Sequence, residues 1–229
     1  MSNDLKNKGY IVIDDILSIE DQDLLLKNIF SNHKDQPGFL YTKNITPNYF
    51  KFNFKNLETQ TVLSSTLIKP RIESIIKTSL KVEKMFITHG YYKIIENISK
   101  KLDWNLLPSD IIRAKLNLQF KSLTGNREHH NVPHVDIAFE NNDDPISYYS
   151  LIYYVNDSDA YTYLFNKKII YAEDYENTNT EEGIKVLKKI RSKKGRVLLF
   201  DGNILHTGSN PIKDEFRLVF NAVLKDAFK

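Results

Sequence analysis

Apolar and polar positions along this chain change rhythm near residue 110, and the two halves predict different structure. The opening run GYIVIDDIL, Gly9 to Leu17, reads as a short strand. Ser18 follows as an N-cap, with Asp21 three residues on, a pairing that satisfies the free N–H groups of a helix start. IEDQDLLLKNIFSNH then predicts an amphipathic helix with Leu24, Leu25, Ile29 and Phe30 turned inward. Pro37-Gly38 breaks it. From Gly38 to Phe54 the chain reads as irregular or strand-like, with many aromatics. Between Leu57 and Leu80, the residues Val62, Leu63, Leu67, Ile72, Ile75, Ile76 and Leu80 recur at helical spacing, with Pro70 dividing two helices or starting the second. KMFITHGYYKIIENI offers one strand or two.

Past Pro108 the period shortens towards two. IIRAKLNLQF, Ile111 to Phe120, alternates in part, as a half-buried strand does. SLIYYVND predicts a further strand, TYLFNKKIIYA a hairpin, GRVLLFDG a short apolar strand ending at Asp201-Gly202, and EFRLVFNAVL the last strand. The basic segment EEGIKVLKKIRSKKG reads as a solvated face or loop that begins with a helical turn. Short strands punctuated by turns argue a sandwich or a double-sheet jelly roll.

Composition bounds the class. At 229 residues, with no internal repeat and no linker, one compact domain over 1–229 is expected, residues 1–110 forming a helical or mixed support and 111–229 the core. Hydrophobic residues at 41% and charged residues at 27% are those of a soluble globular protein. No apolar run approaches the roughly 18 residues of a membrane span, and no secretory leader is visible. The expected setting is the cytoplasm of a bacterium, or of a phage's host, given the abundance of Asn, Ile and Lys. The chain has no cysteine, which excludes disulfides and thiolate chemistry. A net charge of +3 gives no reason to expect a nucleic-acid partner.

Candidate chemistry rests on the six histidines. In HHNVPHVDIAFE, His134 and Asp136 stand two apart, so on a strand they point to one side. In FDGNILHTGSNP, His206 follows an apolar strand and precedes a turn. One H-x-D pair and a distant His make a two-His-one-carboxylate set, which leaves positions open on Fe(II). Arg217, eleven residues after His206, offers a planar fork for a carboxylate. His129 and His130 read as a loop at the mouth of the site, because Pro133 opposes a helix that would align His130 with His134. His33 and His89 read as structural. Tyr148, Tyr149 and Tyr153 read as core packing before substrate stacking.

The ordered set His134-x-Asp136, His206, Arg217 resembles the Fe(II)/2-oxoglutarate-dependent oxygenase superfamily, in particular its prolyl-hydroxylase-like branch. The resemblance covers roughly residues 110 to 226. LIYYVND, DAYTYLF and KKGRVLLFDGNILHTGSNP are similar to that branch's strand contexts, and GYIVIDDILSIEDQDLLL to its lead-in. Two departures stand out: Asp159-Ala160 occupies a position that is usually glycine-rich, and the His-to-Arg spacing is one or two residues longer.

The resemblance implies an α+β, mainly β fold, with a double-stranded β-helix core of the jelly-roll or cupin-like kind and N-terminal helices packed on one side. It implies Fe(II) on His134, Asp136 and His206, with no catalytic side chain beyond the metal site. Arg217 would hold the distal carboxylate of 2-oxoglutarate, supported by the Tyr154 hydroxyl; Thr162 and Asn221 would line the co-substrate pocket, with Asn117 a further donor. The implied reaction is a dioxygenase hydroxylation of an unactivated C–H on a peptidyl or free amino-acid side chain, using O2 and releasing succinate and CO2, with ascorbate as an optional reductant. The alternatives are a non-catalytic cupin-like metal-binding module, a metal-dependent hydrolase, or an oxygenase acting on a small metabolite, sugar or nucleobase.

Overall fold

A computed structural model of the chain describes residues 2–30, 40–43, 61–68, 90–123, 130–140, 143–178 and 184–226. Among them are three α-helices, α1 (Ser2–Lys8), α2 (Ile19–Phe30) and α3 (Tyr91–Leu102). Ten strands accompany them: β1 (Tyr10–Ile13), β2 (Leu40–Lys43), β3 (Thr61–Ile68), β4 (Ile111–Phe120), β5 (Tyr148–Tyr154), β6 (Tyr161–Lys168), β7 (Val186–Arg191), β8 (Val197–Asp201), β9 (Ile204–Gly208) and β10 (Phe216–Lys225). Seven strands form one sheet in the order β1-β8-β5-β10-β4-β3-β2, and three form a second in the order β7-β6-β9. All pairings are antiparallel, and the chain crosses between the sheets repeatedly, which gives the double-stranded β-helix.

The central strands are buried on both faces, and strict alternation sorts their side chains. On one face Ala114, Leu116 and Leu118 of β4 join Leu218, Phe220 and Ala222 of β10 and Leu151 and Tyr153 of β5, beneath the helices. On the other face Ile152 and Tyr154 of β5, Leu198 and Phe200 of β8 and Val219 of β10 meet Leu164 and Ile204 of the second sheet. A third cluster, Val135, Tyr163, Phe165, Ile169, Tyr175 and Leu205, covers the far side of the second sheet.

Helix α3 buries Tyr91, Ile94, Ile95, Ile98 and Leu102, spaced i, i+3, i+4, i+7 and i+11. Each such side chain contributes roughly 1.5–3 kcal/mol on burial. Tyr91 stacks on Phe220 with ring centroids 5.5 Å apart. Asp103 ends the helix in the left-handed region at φ 52°, and the Trp104 amide donates back to the Ser99 carbonyl at 2.9 Å.

Several expectations are corrected here. The apolar recurrence read as helix over 57–80 is strand over Thr61–Ile68, where the β-branched run TVLSSTLI pairs with β4. The strand expected in KMFITHGYYKIIENI is helix α3 from Tyr91 onwards. Its residues 84–89 lie outside the described ones, as do His33, His89, His129, Pro37-Gly38 and Pro70. TYLFNKKIIYA makes one strand, β6, and runs on to a 3-10 turn at Ala172–Thr178, because β6 sits between β7 and β9 rather than folding on itself. The basic segment is strand β7, solvated except for Ile190. In α2 the Ser18 cap holds, its Oγ accepting from the Asp21 amide at 3.2 Å and donating to the Asp21 carboxylate at 2.9 Å. The buried stripe, however, is Gln22, Leu25 and Ile29, and Leu24 and Phe30 are exposed. Gln22 turns in because its amide reaches the Leu17 carbonyl at 3.0 Å.

One close approach ties fold to site. Gly202 lies beneath the ring of Tyr148, and a Cβ there would fall 1.9 Å from a ring carbon. The Tyr148 hydroxyl donates to the Ile137 carbonyl at 2.7 Å, one residue past Asp136. Gly202→Ala is expected to lower stability by about 1–3 kcal/mol through overpacking and to loosen the His134–Asp136 segment. Chemical denaturation checks this; wild-type stability in the variant would contradict it.

Candidate metal centre

His134 and His206 face each other across an isolated antiparallel bridge, where each amide donates to the other's carbonyl, at 2.8 and 2.9 Å. Directly opposed residues of this kind keep their Cα atoms about 5.5 Å apart, and the two rings lie with centroids 4.7 Å apart. His206 therefore sits inside β9 and not, as the sequence suggested, between a strand and a turn. Asp136 lies in a bend past the bridge, still on the side of His134. One ligand atom from each of His134, Asp136 and His206 falls within 4.8 Å of the other two.

The surroundings prepare each donor. His134 Nδ1 lies 3.1 Å from the Val132 carbonyl and His206 Nδ1 3.0 Å from the Ile204 carbonyl, so in each ring Nδ1 carries the proton and the Nε2 lone pair is free. Burial, with His206 beside it, pushes His134 down to about 3. Burial likewise lowers His206. Both rings are neutral at ordinary pH, the form that binds metal. Burial would raise the Asp136 carboxyl, but Arg113, then His206 and Lys115, outweigh it and hold it well below the usual range. Arg113 pairs with Oδ1, and Ser150 donates to Oδ2 at 2.6 Å and Asn221 at 3.3 Å. Two tyrosines brace the backbone here: the Val135 amide donates to the Tyr175 hydroxyl at 2.7 Å, and Tyr148 grips Ile137. Two neutral imidazoles and one carboxylate suit a divalent transition metal with open positions.

A pocket opens from this cluster to Arg217, lined also by Asn117, Gln119, Thr162 and Asn221. Arg217 is buried; its Nε donates to Ser192 Oγ at 2.9 Å, Nη2 to Thr162 Oγ1 at 2.7 Å, and Nη1 to Gln119. These contacts, with Tyr154 a further partner of the guanidinium, fix a planar fork of the kind that pairs with a carboxylate. Tyr154 is buried one step behind, its hydroxyl donating to Thr162 Oγ1 at 2.7 Å. Gly208 makes room: a Cβ there would lie 2.7 Å from Arg217 Nη1. Among the described residues, the side-chain carbonyls of Asn117 and Asn221 are buried without a partner, as expected of groups that meet a ligand.

Of the residues singled out by sequence, His134, Asp136, His206, Asn117, Thr162, Arg217 and Asn221 all line the pocket. Asn221 also reaches Asp136. His130 stays apart, its Nδ1 2.8 Å from the Asn131 carbonyl and its ring against Tyr163 and Phe165. Arg113, Lys115, Gln119, Ser150 and Ser192 were missed. The signal was present in β4, where Arg113, Lys115, Asn117 and Gln119 occupy every second position. Their face reads as solvent-exposed by pattern but is turned into the barrel. Burial, with Arg113 nearby, pushes Lys115 down to about 8. Asp159, where glycine was expected, is explained by the loop before β10: its carboxylate accepts from the amides of Ile212 at 3.1 Å and Lys213 at 3.1 Å, and so fastens that loop.

Fold and site together define a double-stranded β-helix protein with a His-x-Asp and distant-His cluster at the mouth of its barrel. No protein-family profile matches the chain, and no curated protein matches it by sequence. Solved structures match it by shape. The epimerase SnoN from nogalamycin biosynthesis, in complex with Fe3+, α-ketoglutarate and nogalamycin RO, has a TM-score of 0.59 at 13% identity, over 99% of this chain and 82% of that one. An oxidoreductase of the 2OG-Fe(II) oxygenase family from Burkholderia pseudomallei gives 0.56 at 9% identity, over 99% and 90%. A Trichoplax adhaerens prolyl hydroxylase in complex with a hypoxia-inducible-factor peptide fragment gives 0.51 at 14% identity, over 98% and 87%. At these identities the likeness shows a shared fold, the one expected from the motifs.

Arg113→Met removes the charge partner of a buried carboxylate, a loss that typically destabilises by about 3–5 kcal/mol. The metal-free variant is expected to melt well below wild type, and Zn(II) to raise its melting temperature more than it raises that of wild type, since the metal replaces the lost positive charge. Equal metal-free stability would contradict this account of Asp136.

Proposed function

We propose that this protein is an Fe(II)- and 2-oxoglutarate-dependent dioxygenase that hydroxylates an unactivated C–H of a peptidyl or free amino-acid side chain. The observation that carries the reading is the pairing, in one pocket, of three metal-donor atoms within 4.8 Å of one another with a buried arginine that the pocket's own hydrogen bonds hold in place. A metal-dependent hydrolase would have no use for that arginine. The shared fold with oxygenase-family structures, one solved with a peptide and one with nogalamycin RO, supports the class and accommodates both kinds of substrate.

In this reading His134, Asp136 and His206 hold Fe(II), and Arg217 with Thr162 holds the distal carboxylate of 2-oxoglutarate. When bound, these groups and O2 supply the oxidation: one oxygen atom enters the co-substrate, which leaves as succinate and CO2, and the other enters the substrate C–H bond. The chain's own residues do the placing. The bridge between His134 and His206 fixes the two imidazoles. Arg113, Ser150 and Asn221 occupy the lateral donor sites of Asp136 and hold its orientation. Ser192 and Gln119 aim the guanidinium, and Tyr154 orients the Thr162 hydroxyl. Leu164 (paired with His206), Phe200 (edge-on to the His206 ring at 4.7 Å) and Val219 form an apolar wall that excludes water beside the donors.

Arg217→Ala is expected to weaken 2-oxoglutarate binding by about 30-fold or more, because it removes one partner of a buried charge pair. Metal affinity should stay unchanged. Anaerobic calorimetry with Fe(II)-loaded protein checks both. Undiminished 2-oxoglutarate affinity in the variant would overturn the role given to Arg217.

A further inference from the structure

Lys115 lines the same pocket, yet among the described residues no hydrogen bond or ion pair engages its ammonium. The other two cations are committed. Arg113 pairs with Asp136, and Arg217 is fixed by Ser192, Gln119 and Thr162. An unpaired cation inside a barrel is costly unless something arrives to meet it.

Its place in the fold says where that partner would sit. On the inward face of β4, Gln119 stands beside Arg217 and Arg113 beside Asp136. Lys115 is next to Arg113 in this row, directly opposite Asn221 of β10, which itself reaches Asp136. Lys115 is thus at the metal end of the pocket, four residues from Gln119, ~13 Å along the strand. A five-carbon diacid held by Arg217 would end its far carboxylate at the metal, whose charge competes with Lys115 for it. Charge points the same way. Arg113 offsets Asp136, one co-substrate carboxylate offsets Arg217, and the other offsets half the charge of a divalent metal. The pocket is left with surplus positive charge, including all of that on Lys115.

We propose that the pocket is built for a second anion: Lys115 anchors a carboxylate or phosphate carried by the primary substrate. This inference rests on the oxygenase reading and narrows it. The substrate is then a small free acid, such as a free amino acid, and not an uncharged internal residue of a peptide, which brings no such group. The anchor also sets which carbon of the substrate faces the metal.

The test uses protein loaded with Zn(II) and 2-oxoglutarate, loading being verified by calorimetry. Trifluoroacetate serves as the anionic probe and trifluoroacetamide as its neutral counterpart, both followed by fluorine NMR. Wild type is expected to bind trifluoroacetate saturably and trifluoroacetamide not at all. Lys115→Met should weaken trifluoroacetate binding by roughly tenfold or more, as loss of a charge-assisted contact requires. Lys115→Arg should retain it, and both variants should bind 2-oxoglutarate within about twofold of wild type. Indifference to the probe's charge, or equal trifluoroacetate binding in wild type and Lys115→Met, overturns the proposal. So does a loss of 2-oxoglutarate affinity in Lys115→Met, which would assign the ammonium to the co-substrate. If neither metal nor 2-oxoglutarate loads, the oxygenase reading fails separately. The same titration on unloaded protein then still decides whether Lys115 binds an anion.

Discussion

The reciprocal backbone pair between His134 and His206 is the constraint on which the site depends. Some seventy residues separate these histidines in the chain, and β5 to β8 lie between them. Two amide–carbonyl bonds bring them face to face and set both rings on the same side of the second sheet. Each ring is then turned by the carbonyl two residues before it, so that both present the same nitrogen to the pocket. Asp136 joins because it lies two residues beyond one member of the pair. Around this bridge, Thr207 donates to the Asn131 carbonyl at 2.8 Å and Tyr175 takes the Val135 amide, so the segment cannot drift from β9.

The pocket's second property is its positive charge. A barrel interior is ordinarily filled by apolar side chains, and the floor of this one is. Around the pocket, the inward row of β4 and its neighbour β10 instead present Arg113, Lys115, Asn117, Gln119, Arg217 and Asn221. Such a row is costly in an empty barrel. It becomes reasonable when anions occupy the space: the carboxylate of Asp136 within the protein and, on the proposed reading, those of a diacid and of the substrate from outside. Position along the strand divides the labour, with Gln119 and Arg217 at the deep end and Arg113 and Lys115 beside the metal donors.

Much of this was legible in the chain. The strands from Ile111 onwards are short, apolar and punctuated by turns, and the histidines, Asp136 and Arg217 stand in an order that few other arrangements share. What was hidden had physical causes. TVLSSTLI carries apolar residues at spacings that fit a helix, but its β-branched side chains and the open edge of β4 make it a strand. YYKIIENISKKL looked extended because of its paired tyrosines and isoleucines, although Tyr91, Ile94, Ile95, Ile98 and Leu102 trace a helical stripe. The polar face of β4 was visible as alternation, but alternation cannot say whether the polar side meets bulk water or a lined cavity. Only closure of the barrel decides that, and with it the importance of Arg113 and Lys115.

The central claim is that one pocket binds Fe(II) and 2-oxoglutarate together, and anaerobic titration of the purified protein with both is its most direct test. A keto acid chelated to Fe(II) gives a weak visible charge-transfer band. This band is expected to develop with one equivalent of each ligand and to be absent in His134→Ala. Iron binding without the band would remove 2-oxoglutarate from the account, and failure to bind iron would contradict the metal centre itself.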